Sequence, residues 1–313
     1  MRSYIRFLAA GALAATLVWG CAVAPKTLWM KDMKRAFSAG QIISARTGEA
    51  VSFDEMMSDL QSVQVVYVGE RHTDPVHHRI QLEILRRLSA AHGDLQVGME
   101  MFDHTYQPVL DRWSRGKLDW RKFLEETHWY ANWRYPASLY EQILKFIKSR
   151  HLPLIGLNVP FNIPPKISIG GIDSLNDYEK KQLPADIDLT NQAHRDYVRK
   201  VFEGHRIPGR NSFENFYEAQ CVWEDGMAEA IAAHLDGRPM VVLLGDGHII
   251  YKFGVPERAF KRTGAAYRTV YLAPAGSSAE RSYGDYIWVT SDEAVDKTLG
   301  VDAGGGKGKP ASS

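Results

Sequence analysis

Cysteine is scarce in this chain, with only Cys21 and Cys221, which excludes a disulfide framework. An excess of one charge is also lacking. Lysine and arginine number 38 against 37 aspartates and glutamates, so no electrostatic case for nucleic acid arises. No internal repeat is present, which removes solenoid and propeller architectures. The N-terminal apolar run Phe7–Val18 is shorter than the roughly 20 residues of a membrane-spanning helix. What remains is ordinary globular material: 313 residues, 45% hydrophobic and 24% charged, enough for a large core.

Residues 1–20 read as a lipoprotein signal peptide. Arg2 and Arg6 supply the positive n-region and Phe7–Val18 the apolar h-region. Val18-Trp19-Gly20-Cys21 resembles a bacterial lipobox, in which the cysteine carries acyl chains, palmitate among them, and starts the mature protein. Trp19 is bulky for that pattern, and an uncleaved membrane anchor is the alternative. A lipid-anchored place in the cell envelope is therefore expected. Ala22 lacks the aspartate associated with inner-membrane retention, which favours the outer membrane. Without Cys21, Cys221 has no thiol partner and is expected to be a buried helix residue, a reactive thiol being the alternative.

The rest divides into an N-terminal lead-in at 21–59, an α/β domain at 60–295 and a flexible tail at 296–313. The lead-in predicts a short strand and turn, with an edge hairpin around IISARTGEAVSFDEMM. Short apolar runs predict buried strands at Val63–Val68, Leu95–Met99, Pro153–Leu157 and Met240–Leu244. Later strands are expected at Tyr267–Leu272 and Tyr286–Thr290. Asp74 and Pro75 supply a cap and first turn for a helix running to Ala91. Helical stretches follow at 106–149, 197–203 and 213–235, and 161–189 reads as loops with short helices. Alternating strands and helices predict an α/β fold: a mainly parallel central sheet flanked by helices, with helical insertions near 104–150 and 160–235.

Four apolar runs end in polar residues: Glu70 and His72, then Glu100, then Asn158, then Asp246 and His248. Ligands of open parallel sheets bind at the carboxyl ends of strands, so these residues are expected along one rim. Two histidines with carboxylates suit a divalent metal ion, with Glu70, His72, Glu100 and His248 as ligands. They equally suit acid–base catalysis, with Glu70 and Glu100 as candidates. The plainer alternative is that both histidines only bond neighbouring backbone at strand ends. His77 and His78 fall in the first turn of a helix, where a ligand carboxylate can sit. The stretch from Trp129 to Tyr140 is dense in aromatics, and Tyr140 is expected within a helix over 138–147. Such a stretch is either core or the wall for a flat apolar ligand, and a tyrosinate can ligate haem iron.

The motifs VVYVGERHTDPVHHRIQLEIL, GMEMFDHTYQPVLD, IGLNVP, AQCVWEDGMA and VVLLGDGHIIYKFGVPERAF resemble, in matching order over about 60–275, the ChaN family of bacterial lipoproteins. That family is similar to the wider Tiki and TraB group and to erythromycin-esterase-like proteins. The group's paired Gly-x-x-His motifs correspond here to Gly69–His72 and Gly245–His248, with GDGH standing where GNGH is usual. The resemblance implies a haem-binding surface lipoprotein serving haem or iron acquisition. It further implies haem as ligand, a tyrosine on iron (Tyr140 first, Tyr135 second), His78 towards a propionate, a homodimer, and a haem receptor or uptake machinery as partner. Its alternative is a metal-dependent hydrolase or protease of the Tiki or erythromycin-esterase-like group.

Overall fold

A computed structural model of the protein describes residues 26–204 and 209–291. Cys21, where a lipid anchor is expected, and the tail at 296–313 lie outside the described residues. The strands are β1 (Thr27–Met30), β2 (Arg35–Ser38), β3 (Ile42–Ser44), β4 (Ala50–Val51), β5 (Val65–Glu70) and β6 (Gln96–Asp103). They continue with β7 (Leu154–Asn158), β8 (Met240–Gly245), β9 (Tyr267–Pro274), β10 (Ser278–Ala279) and β11 (Tyr286–Thr290). The α-helices up to the middle of the chain are α1 (Phe53–Leu60), α2 (Pro75–His92), α3 (Gln107–Ser114), α4 (Trp120–Glu126), α5 (Trp129–Asn132) and α6 (Glu141–Ser149). Those beyond it are α7 (Ile163–Gly170), α8 (Asp177–Lys180), α9 (Gln192–Gly204), α10 (Phe213–His234) and α11 (Val255–Thr263). Among the described residues no helix is long and apolar enough to cross a membrane.

The fold is α/β, as expected. An eight-stranded sheet has the order β4-β3-β11-β9-β5-β8-β6-β7, and a smaller sheet has β10-β1-β2. From β11 to β7 every pairing is parallel. β3 and β4 add an antiparallel hairpin at one edge, where the lead-in predicts one. Helix α1 departs from the strand-and-turn reading of that segment. Its signal is a capping box, with Ser52 accepting from the Glu55 N–H and Glu55 accepting from the Ser52 N–H.

Period-two alternation sends the strand residues to two different cores. Val66, Val68, Val241 and Leu243 pack with α1, α2, α3 and α6 through residues such as Leu85, Trp113 and Ile143. Val65, Tyr67, Val242 and Leu244 pack instead with α10 and α11 through Met227, Ile231 and Ala259. Both faces are covered, which explains why these strands read as continuous apolar runs rather than alternating ones. Glu70 falls in the phase of Val66 and Val68, and so points into the first core rather than into solvent.

At the β6–β7 contact, a Cβ on Gly156 would stand 2.6 Å from the Asp103 carbonyl oxygen. Backbone cannot yield there as a side chain can. The close approach carries Asn158 and the end of β6 to the same place on the rim. In α2, the Asp74 side chain accepts from the Val76 N–H at 2.9 Å and Pro75 opens the first turn, so the helix starts where the sequence places it.

Candidate functional site

The parallel strands β5, β6, β7 and β8 bring their carboxyl ends to one rim. Glu70 ends β5, and its carboxylate is 1% exposed. Its Oε1 accepts from His72 Nδ1 at 2.9 Å and from the Tyr140 hydroxyl at 2.5 Å. His78 Nε2 stands 3.2 Å from Glu70 Oε2, within ion-pair reach but off the direction of a hydrogen bond. Burial opposes the Glu70 charge, yet the hydrogen bond from His72 and the electrostatic pull of His78 beside it prevail and hold its carboxyl well below the usual carboxylate range.

Glu100 lies beside it on β6, also buried. Its Oε2 accepts from the Gly245 N–H at 2.6 Å, and its Oε1 lies 3.5 Å from His248 Nε2. A Cβ on Gly245 would stand 2.9 Å from His72 Cε1, so the glycine lets the imidazole approach the strand end. Asn158 donates through Nδ2 to the Glu100 carbonyl at 3.0 Å. Glu70, His72, Glu100, Asn158 and His248 therefore form one contiguous network.

The second histidine has a buried layer behind it that the sequence reading missed. His248 Nδ1 lies 3.2 Å from Glu224 Oε1. Glu224 Oε2 faces His194 Nε2 at 3.1 Å and Arg258 Nε at 3.4 Å. Arg258 also donates to Asp225 and to Cys221 Sγ. Burial works against an imidazolium at His248, but Glu100 and Glu224 outweigh it and raise its pKa to about 10. His248 is therefore a cation at neutral pH, clamped between two carboxylates. The signal for this layer was in α10, where the charged pair Glu224-Asp225 stands among the buried residues Cys221, Val222, Met227 and Ala228. Cys221 is a buried helix residue, as expected. Burial pushes its thiol up to about 12, which disfavours the reactive-thiol alternative.

The aromatic stretch splits between the two roles open to it. Trp129 and Tyr140 are core. Tyr140 is not inside a helix over 138–147. It closes the short 3-10 turn Ala137–Leu139 and caps α6, which begins one residue later. Its ring packs 4.4 Å from that of His78. Burial first, and then the charge of Glu70, raise the pKa of its phenol far above the ordinary tyrosine value. Tyr140 is thus a neutral donor to Glu70, and it does not line the cavity described next. His78 likewise lies behind Glu70, 4% exposed, and not on the cavity wall. His77 takes the local role: its Nδ1 accepts from the Arg71 N–H at 2.9 Å, and its Nε2 lies 3.2 Å from Thr290 Oγ1. Burial lowers its pKa to about 4.

In front of His72 and Glu100 opens a cavity of about 990 Å³, walled by Trp133, Tyr135, Phe161, Phe216 and Trp223. That volume is at the upper end of small-molecule sites, roughly 300–1,000 Å³. His72 stands at the junction between network and cavity, its side chain 25% exposed. Its ring lies 4.8 Å from Trp133 and 4.9 Å from Tyr135. Burial lowers its pKa, but the Glu70 hydrogen bond and the charge of Glu100 leave it raised overall. The expected divalent metal finds no support. Among the described residues, no group of three or more His, Cys, Asp or Glu side chains is arranged to hold one. The carboxylates point at histidines, amides and hydroxyls instead of converging on a shared point.

Comparison with known proteins follows the same lines. The family described as haem-binding uptake, Tiki superfamily, ChaN, matches residues 56–259. Among solved structures, one described as cofacial heme binding to ChaN of Campylobacter jejuni is similar, with a TM-score of 0.65 and 19% identity. That alignment covers 79% of this chain and 95% of the other. The type III effector HopBA1 is similar at a TM-score of 0.44 and 12% identity, over 76% of this chain and 93% of that one. An erythromycin esterase mutant in its open conformation gives 0.43 and 14%, over 74% and 77%. At 19% identity the likeness to the Campylobacter jejuni structure is one of fold. No curated protein sequence matches.

Proposed function

From the premise that this chain belongs to the ChaN family of haem-binding uptake proteins of the Tiki superfamily, we propose that it binds haem as cargo in the cavity at the carboxyl end of the sheet. The observation that carries this reading is Tyr135. Its ring lies on the wall of the 990 Å³ cavity, 4.9 Å from His72, with Trp133 and Phe161 offering apolar faces to a flat ligand. Haem, when bound, would supply a ferric iron, and a tyrosine phenolate suits that iron. Tyr135 takes the iron in this reading, in preference to Tyr140, which would have to break its bond to Glu70 and ionise in a buried site. The finer role is a surface lipoprotein anchored through Cys21 in the outer membrane. Such a protein would pass haem to a receptor or uptake machinery, and a homodimer would cover the open cavity mouth.

Titration of ferric haem into the purified protein tests the assignment. Saturable binding with a phenolate-type absorbance spectrum is expected. Tyr135→Phe should weaken binding about tenfold or more and abolish that spectrum, because the ring stays while the anionic ligand goes. Tyr140→Phe should keep the spectrum. No saturable binding would reject the function, and an unchanged spectrum in Tyr135→Phe would reject the ligand.

A second reading rests on the His72–Glu70 pair, which a haem carrier does not require. A carboxylate that orients an imidazole at the edge of a cavity makes a general base for water, and Glu100 faces the same space. Ester hydrolysis lost in His72→Ala, with haem binding kept, is the expected signature of that chemistry. Absence of turnover across a panel of aryl and alkyl esters would count against it.

A further inference from the structure

Two arginines line the cavity and have no role in either reading. Arg134 stands on the aromatic wall between Trp133 and Tyr135, and Arg210 lines the same cavity, partly buried. Among the described residues, neither guanidinium has a carboxylate at ion-pair distance or a hydrogen-bonding partner. The acids that share the cavity are all engaged elsewhere. Glu179 pairs with Lys166 at 2.6 Å, Asp103 accepts from the Thr105 N–H at 2.9 Å, and Glu100 accepts from Gly245. Burial, and then the nearby charge of Arg134, lower the proton affinity of Arg210. Two like charges on the wall of one cavity, one of them partly desolvated, favour a bound anion there. Elsewhere on this protein arginines find acids readily: Arg112 meets Glu126, and Arg268 meets Asp59. The cavity pair is left open beside apolar ring faces.

We infer that Arg134 and Arg210 form a cationic clamp for the acidic edge of the ligand, which is a flat apolar body carrying two carboxylates on one side. This deepens the haem reading and rests on it, because haem carries its two propionates on one edge. It also supplies the propionate partner that His78 cannot be from behind Glu70. The aromatic wall takes the macrocycle, Tyr135 the iron, and the two guanidiniums the carboxylates. A guanidinium matches a carboxylate through two parallel N–H donors, so the pair selects for carboxylate as well as for charge.

The test compares haem with haem dimethyl ester, whose propionates are uncharged, in the wild-type protein and in the double variant Arg134→Gln/Arg210→Gln. Wild type should bind haem about tenfold more tightly than the diester, the scale of a few partly exposed charge-assisted contacts. The double variant should bind both equally, with diester affinity unchanged from wild type, which also shows that the cavity is intact. Discrimination retained by the double variant overturns the clamp. A probe independent of haem separates the two ideas. Anilinonaphthalene sulfonate is a flat aromatic anion whose fluorescence reports its binding. If neither porphyrin binds the wild type, the haem reading fails, and the clamp is judged on this probe alone. Weaker probe binding in the double variant, with loss of its salt dependence, supports the clamp. Equal binding by both proteins, or none by either, overturns it.

Discussion

Glu70→Ala is expected to lower the free energy of unfolding by about 3–5 kcal/mol, the cost of removing one partner from a buried charge pair. The carboxylate is fully enclosed and serves three groups at once. Removing it leaves the Tyr140 hydroxyl, His72 Nδ1 and the His78 ring facing an apolar hole. Two of the three cannot turn to water, because Tyr140 is 0% and His78 is 4% exposed, and only the His72 ring reaches the cavity. Glu70→Gln should cost less, about 1–3 kcal/mol. The amide keeps the volume and one acceptor for Tyr140, but it loses the charge that holds the imidazoles. Urea unfolding of the three proteins, with equal m-values, measures both differences. A Glu70→Ala midpoint within error of wild type would show that the carboxylate is dispensable to the fold. The variant should also release the His72 ring, so disorder would reach the cavity as well as the core.

The strands were legible because burial on both faces leaves few ways to write them. VQVVYV, PLIGL and MVVLL are short, largely apolar and each followed directly by glycine or asparagine, and they become β5, β7 and β8 within two residues at each end. The rim followed from that alone, since parallel strands share an end. The union of two sites was not legible. The aromatic segment and the strand-end residues read as rival centres, one for haem and one for metal or catalysis. In the folded chain Tyr140 donates to Glu70 across 70 positions, a contact that no local pattern encodes. The same gap hid His194 and Arg258, which reach Glu224 from α9 and α11. Glu224 and Asp225 differ in kind. They occupy buried positions of an amphipathic helix where an apolar residue is expected, and that conflict is itself a sign of a site. β1 and β2 were not legible because four-residue strands carry too little periodicity, and β1 finds its parallel partner β10 some 250 positions away while β2 pairs only with β1.

Stability should peak near pH 6.5 and fall on both sides, and His248 should account for most of the alkaline limb. Its folded pKa is about 10, against an ordinary value of 6.5. The folded state thus holds a proton that the unfolded chain releases. That contribution is complete below pH 6.5 and is lost as pH rises towards 10. His72, also raised by its carboxylate neighbours, adds in the same direction. Cys221 and the buried tyrosines are raised too, but their unfolded counterparts hold protons up to about pH 9 and 10, so the window from 6.5 to 9 belongs to the two histidines. On the acid side His77 has the opposite sign. Its folded pKa of about 4 means that the unfolded chain binds the extra proton between 6.5 and 4. Glu70, Glu100 and Glu224, all held low, add to the acid limb below their ordinary 4.5. Thermal unfolding from pH 5 to 9 should therefore give a maximum melting temperature near 6.5 and a loss of a few kcal/mol by pH 9. His248→Gln should be less stable at pH 6.5, because Glu100 and Glu224 lose their shared cation, and its melting temperature should change much less between 6.5 and 9. A wild-type curve flat over that range would show that His248 is not held as an imidazolium. A His248→Gln curve as steep as the wild type would assign the limb to another group, with His72 the next to replace.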